Sequence, residues 1–321
     1  MNPAASTPSP PPVPARGYNA HGGRLREAHG GARVFKVVVD AGFTCPNRDG
    51  SKGYGGCAYC NVESFTPALP RGLPSIHDQV LAGARRAREK YRAEKFIVYF
   101  QPNTNTYAPV GVLRAKIDEA LAACPEDVVG LAVGTRPDCL DAEKIALLES
   151  YLDRVEVDLE IGMESMHDET LRSINRGCTH ADFTAAMALL GQSRLHVCVH
   201  AVFGLPGETR EMMLAVADEL NRHPRIGSVK LHQLLVVKGS ILAARHRREP
   251  FPVFTLEEYA GFLCEFLPRL RGDIVVQRLF SVADRDLLIA PDWGLRKSEI
   301  RAALERELRR RGVVQGAVAG L

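Results

Sequence analysis

The chain of 321 residues has no run approaching the roughly 18 apolar residues that a membrane span requires. Its first segment, MNPAASTPSPPPVPARG, lacks the apolar stretch of a secretory leader. No G-x-G-x-x-G occurs, so a dinucleotide-binding reading has no fingerprint. Charge of one sign is scarce as well. Lys+Arg 41 against Asp+Glu 38 leave +3, too mild to mark a nucleic-acid partner and no obstacle to one. Eight cysteines follow no periodic framework, which argues against a disulfide scaffold. The expected setting is therefore a reducing cytoplasm, where clustered thiols serve as metal ligands or catalysts.

What is present is an alternation. Residues 1–17 are rich in Pro, Ala and Ser and are expected to form a disordered tail. Beyond them, short β-branched runs are predicted as strands at 34–40, 96–101, 128–135, 155–163, 196–204 and 228–237. Segments of helical apolar spacing separate them, as at 75–91 and 109–123. Six such units predict a parallel α/β sheet, open or curled into a barrel. The strand faces favour the barrel. Glu160, His200, Lys230 and His232 fall on the face opposite the apolar one, whereas a strand covered by helices on both sides is apolar throughout. A polar lumen points to an interior used for binding or chemistry, and these four are its candidate catalytic residues.

The loop TCPNRDGSKGYGGCAYCN places Cys45, Cys57 and Cys60 in a C-x11-C-x2-C spacing. The x2 spacing aims two sulfurs at one site, and a Gly-rich connection delivers the third. A structural zinc site needs a fourth ligand, and the nearest candidates, His29 and His77, are distant in sequence. Iron–sulfur clusters normally take four thiolates, so three would leave one iron open. Two other readings stand beside a cluster. One is a non-catalytic zinc-binding interaction module, the other a metal-dependent barrel hydrolase using His200, His232 and Glu160.

The stretches DAGFTCPNRDG, GGCAYCN, TNTYAP, GTRPDCL, INRG, GLPGE and DLLIAP follow one another within about residues 18–300. In this order they resemble the YtqA/YhcC family of radical S-adenosylmethionine (SAM) enzymes, related to the group that includes the Elongator catalytic subunit. The resemblance implies a partial (α/β)6 TIM-like barrel at 18–240 and an α/β extension at 241–321 that closes the barrel or meets the substrate. It implies a [4Fe–4S] cluster on Cys45, Cys57 and Cys60, with the fourth iron chelated by SAM.

For SAM, the resemblance places Tyr59 against adenine and Gln101, Asn103 and Thr104 near the methionine amine. Thr135, Arg136, Glu164 and Ser165 are its candidates for ribose and methionyl contacts. Arg176 suits the methionyl carboxylate, and Gly204, Leu205 and Gly207 let backbone approach adenine. Glu164 stands where the family more often has Gln, and Asn103 where it more often has Tyr. The implied reaction is reductive cleavage of SAM to methionine and a 5′-deoxyadenosyl radical that abstracts hydrogen. The implied substrate is tRNA at a wobble uridine side chain, with a small metabolite or peptide as the alternative. An electron donor such as flavodoxin or ferredoxin is implied, and no membrane. The segment RKSEIRAALERELRRRG (296–312) carries seven Arg/Lys against three Glu and adds a basic helix that suits phosphates.

Overall fold

The computed structural model describes residues 16–64 and 73–319. Six strands lie where the β-branched runs predict them: β1 Val34–Val39, β2 Lys95–Phe100, β3 Val128–Thr135, β4 Glu156–Glu164, β5 His196–Phe203 and β6 Ile226–Gln233. The run expected at 228–237 breaks after Gln233. Its end forms β7 Val236–Val237, because the chain turns to pair with another segment. Two strands were not anticipated, β8 Val275–Arg278 and β9 Leu288–Ala290, which pairs antiparallel with β7.

Helices fill the intervals: α1 His21–Ala28, α2 Ile76–Tyr91, α3 Val110–Ala123, α4 Ala142–Glu149, α5 Asp168–Ser173, α6 His180–Leu189 and α7 Arg210–Asn221. α8 Ile241–Arg248, α9 Leu256–Arg269 and α10 Lys297–Arg310 follow. Their starts are written locally. Ser75, Thr179, Thr209 and Thr255 each accept a backbone N–H of the first turn, with full capping boxes at Thr179–Asp182 and Thr255–Glu258.

The main sheet is parallel throughout, in the order β1-β2-β3-β4-β5-β6-β8. Laid flat, its edges would stand about 29 Å apart at roughly 4.8 Å per strand. Instead Lys36 Nζ on β1 donates to Gln277 Oε1 on β8 at 2.9 Å. The sheet is curled into a half-barrel with its helices outside, where Phe96, Phe100, Phe183, Phe203, Phe262 and Phe266 anchor the core. β8 lengthens the sheet beyond the six predicted strands. It is short, and its run IVVQ carries no alternation from which a strand could be read.

The expected tail, residues 1–17, lies outside the described residues up to residue 15. Arg16 pairs with Glu305 at 2.9 Å, and Gln315 N donates to Gly17 O at 2.9 Å. Ala20 then forms a parallel bridge with Val276, so the chain's first described segment edges the sheet beyond β8. No described helix is long and apolar enough to cross a membrane.

α2 packs on β1 through Gly83, where an added Cβ would lie 2.3 Å from Val37 Cγ1. Gly83→Ala is therefore expected to destabilise the protein by about 1–3 kcal/mol, despite the helix-propensity gain of about 1 kcal/mol. Urea unfolding checks the sign, and a stabilised variant would contradict this packing.

Candidate active site

The carboxyl ends of the strands open onto a cavity of about 260 Å3. Cys45, Cys57 and Cys60 all line it, and all are free thiols. Their loop folds on itself: Arg48 N donates to Cys45 O at 2.8 Å, and Gly56 N to Asn47 O at 2.8 Å. Cys60 N donates to Cys57 O at 2.9 Å, closing the C-x2-C turn. Gly50, Gly55 and Gly56 take φ of 92°, 77° and 78°, the left-handed region that this tight path needs.

The INRG stretch staples the loop from outside. Ala58 N donates to Ile174 O at 2.7 Å, and Asn175 Nδ2 donates to Tyr54 O and Gly56 O at 3.1 and 2.9 Å. Fully buried Asn47 returns a bond to Asn175 O. Nitrogens then point at the sulfurs. Arg48 Nη2 is 3.3 Å from Cys60 Sγ, Arg176 Nη1 3.5 Å from Cys57 Sγ, and Asn47 Nδ2 3.8 Å from it. Such donors stabilise thiolates carrying the negative charge of a bound cluster. Among the described residues no three His, Cys, Asp or Glu side chains converge as a single ion would need. Three thiols on one cavity wall with sulfur-facing donors fit a cluster held by three thiolates.

Most residues assigned to SAM by resemblance line the same cavity: Tyr59, Gln101, Asn103, Thr104, Thr135, Arg136, Glu164 and Arg176. Their chemistry is unequal. Arg136 gives Nε and Nη2 to Asp138, each at 2.9 Å, and Nη1 to Arg176 O at 2.7 Å, while Thr135 bonds Thr106. Both are committed to holding loops. Arg176 is nearly buried, lies 3.7 Å from Glu164, and leaves its Nε without a partner. Glu164 and Asn103 hold positive φ of 66° and 61°, the strained backbone that recurs at functional sites.

Four assigned residues lie outside this cavity lining. Ser165 is bound to Glu208, and Leu205 packs in an apolar cluster with Ala58, Ile174 and Tyr59. Gly204 and Gly207, at φ of 83° and 94°, shape the turn after β5.

Beneath the cysteines the lumen is polar. Pairing registers Gly162, His200, Lys230 and Arg278 in one row across β4, β5, β6 and β8. Glu160 accepts from Lys36 Nζ at 2.7 Å, from His200 Nε2 at 2.8 Å, and from Lys230. Burial pushes the Glu160 carboxyl up, but Lys230, Lys36 and His200 overcome it and hold the group well below its ordinary value. Burial brings Lys230 down to about 8 against the pull of Glu160. Burial, and then Lys230, lower His200, leaving a neutral ring with Nε2–H donated and Nδ1 as acceptor. His232 stacks on His200 at 5.2 Å, bonds Ser281 through Nδ1 and keeps a buried, unpartnered Nε2. Because Glu160 is committed to three cations and donors, a metal centre built on it, His200 and His232 lacks a free carboxylate.

Sequence reasoning missed Asn47, Arg48, Tyr99, Arg278 and Ser281, all of which shape or line this site. Only Asn47 and Arg48 carried a signal, their place inside the cysteine loop.

Residues 45–220 match the radical SAM superfamily, and residues 226–310 its radical SAM C-terminal domain. The chain belongs to the radical SAM superfamily. This superfamily uses a [4Fe–4S] cluster and SAM. Within it, this radical SAM chain is 37% identical to protein YhcC of Escherichia coli (strain K12), over 94% of this chain and 95% of that one. A tRNA uridine(34) acetyltransferase of Dehalococcoides mccartyi is 31% identical over 155 residues, 46% of this chain and 33% of that one. The archaeal Methanocaldococcus infernus Elp3 shares its fold, with a TM-score of 0.68 at 20% identity over 88% of this chain and 64% of that one.

Glu160→Gln would leave Lys230 buried without its anion and Lys36 with Asp158 alone, 3.5 Å away, and the expected loss is about 3–5 kcal/mol of stability. An unchanged urea midpoint would show that these cations need no counter-charge. In the native protein, Asp158 is held at about 2 and Glu160 is also depressed. Stability from both is then fully present above about pH 4–5 and lost as the pH falls through their folded values. Thermal melts between neutral and acid pH read this loss.

Proposed function

We propose that the chain modifies RNA, with tRNA as the substrate and a wobble uridine side chain as the target. Cys45, Cys57 and Cys60 would hold the cluster, because they ring one cavity while Arg48, Asn47 and Arg176 face two of their sulfurs. That observation carries the catalytic reading. When bound and reduced, the cluster and SAM supply a 5′-deoxyadenosyl radical for hydrogen abstraction.

The chain's own residues have distinct tasks. Arg176, with its unpartnered Nε, binds the methionyl carboxylate. Tyr59 would pack beside the adenine, and Gln101, Asn103 and Thr104, which line the same cavity, would bind the methionine amine. Arg136 and Thr135 position these loops, because their polar atoms are already bound within the protein. His200 and His232 hold or accept a proton at Nδ1 and Nε2, and Glu160 and Lys230 fix the His200 tautomer. The tRNA substrate is supported by the partial match to the tRNA uridine(34) acetyltransferase, and reduction of the cluster would call for an electron donor such as flavodoxin or ferredoxin.

Anaerobically reconstituted protein is expected to bind about four irons and four sulfides. Cys45→Ala, Cys57→Ala or Cys60→Ala should lose them, and Cys124→Ala or Cys264→Ala should not. Stoichiometric zinc without sulfide would sink the cluster assignment. Arg176→Ala, compared with the native protein at equal reconstituted iron content, should weaken SAM binding at least tenfold. The substrate is tested by deleting the gene and comparing digested tRNA nucleosides by mass spectrometry. An unchanged profile, with no other gene product covering the step, would move a small metabolite or peptide ahead of tRNA.

A further inference from the structure

The half-barrel leaves one seam open, beside β1. A second cavity, about 1290 Å3, runs along it between α1, β1, β8 and the first turns of α10. This exceeds the roughly 300–1,000 Å3 of small-molecule sites. Tyr99, Gln101 and Arg278 line both this cavity and the reaction cavity, so the two meet there.

The seam is one-sided in charge. Arg24, Arg26, Arg33, Arg278, Lys297 and Arg301 line it without a side-chain hydrogen bond or ion-pair partner among the described residues. Glu27 is the sole acid among the described lining residues. Burial, then the charges of Arg278 and Arg301, push the Lys297 ammonium below its ordinary value. Crowded cations of this kind are relieved by a bound anion. The far turn of α10 differs. There Arg310 and Arg311 share Glu307 at 2.7 Å, which offsets one of their two charges.

Aromatic rings interleave with the cations. Phe35 and Tyr91 stack at 4.7 Å on the seam wall, and Tyr91 is 46% exposed. Cations tracking a backbone, with rings on which bases stack, make a single-strand nucleic-acid platform. Residues 1–15 adjoin the seam in sequence but contain no carboxylate to neutralise it.

We infer that the seam is a track for single-stranded RNA. Its phosphates lie on Arg24, Arg26, Arg33, Lys297 and Arg301, a base stacks on Tyr91, and one nucleotide passes Arg278 into the lumen. This rests on the RNA-modifying reading and narrows the phosphate contacts of the basic segment 296–312 to the first turns of α10.

The test is fluorescence anisotropy of the cluster-loaded full chain with a 5′-fluorescein-labelled twelve-nucleotide uridine RNA, across a salt series. Arg24→Glu/Arg26→Glu and Lys297→Glu/Arg301→Glu should each weaken binding at least tenfold at low salt. Each should also flatten the log–log salt slope, by about 0.7 for every phosphate no longer neutralised. Lys297→Ala/Arg301→Ala, which reverses no charge, should weaken binding in the same direction. Tyr91→Ala should cost about five- to tenfold. Arg309→Glu/Arg310→Glu, equal in charge change but on the far turn, should change affinity less than twofold. Thermal melts confirm that each variant is folded.

Equal weakening by the seam and far-turn variants would overturn the track in favour of diffuse attraction. Charge effects without a Tyr91 effect would make the seam a plain anion groove and overturn it as well. The two readings fail separately. An altered nucleoside profile with normal seam-variant binding refutes only the track, whereas seam binding with an unchanged profile refutes only the tRNA assignment.

Discussion

The carboxylate of Glu160, buried at the middle of the lumen, is the interaction on which the interior depends. Three groups from three other strands converge on it: Lys36 from β1, His200 from β5 and Lys230 from β6. Each buried charge alone would cost several kcal/mol of desolvation, and gathering them on one anion offsets that cost. Lys36 also reaches Gln277 on β8, and Gln277 reaches Asp158 at 3.2 Å. The ion network therefore ties the two edges of the curled sheet together. A lumen filled with branched apolar side chains, as in an ordinary barrel, would leave no such space for substrate.

Above that network the site is organised by backbone carbonyls and amide side chains more than by charge. Asn47 and Asn175 exchange bonds with each other's segments, and the cysteine loop rides on that exchange. Asn105 does the same one strand over, donating to Phe100 O and Gly134 O at 3.0 Å each. Rigid support of this kind suits radical chemistry, in which the position of the reacting atom and the exclusion of water are the protein's main contributions. Among the cavity's described lining residues, two buried polar atoms stay unpartnered, Arg176 Nε and His232 Nε2.

The outer surface repeats the distinction between committed and free charge. α10 is basic along its whole length, yet Arg296 pairs with Glu299, Arg310 and Arg311 share Glu307, and Lys297 and Arg301 face the open seam. A count of Arg and Lys along the segment cannot separate the paired cations from the free ones. The same holds for Arg136, which lines the cavity while its guanidinium bonds Asp138 and a carbonyl.

Sequence alone determined the elements and the chemistry they carry. Periodicity placed six parallel strands, and the C-x11-C-x2-C spacing marked the thiol site, because each of these is a local property of neighbouring residues. The alternate polar face of β4, β5 and β6 also announced a polar lumen. Tertiary structure decided the rest. β8 has no alternation and becomes a strand only because β6 offers an unpaired edge. Lys36, Tyr99, Arg278 and Ser281 enter the lumen from strands and loops whose register no local pattern specifies. Which cations stay free, and which are neutralised, depends on distances between segments far apart in sequence. Those distances exist only once the sheet has curled.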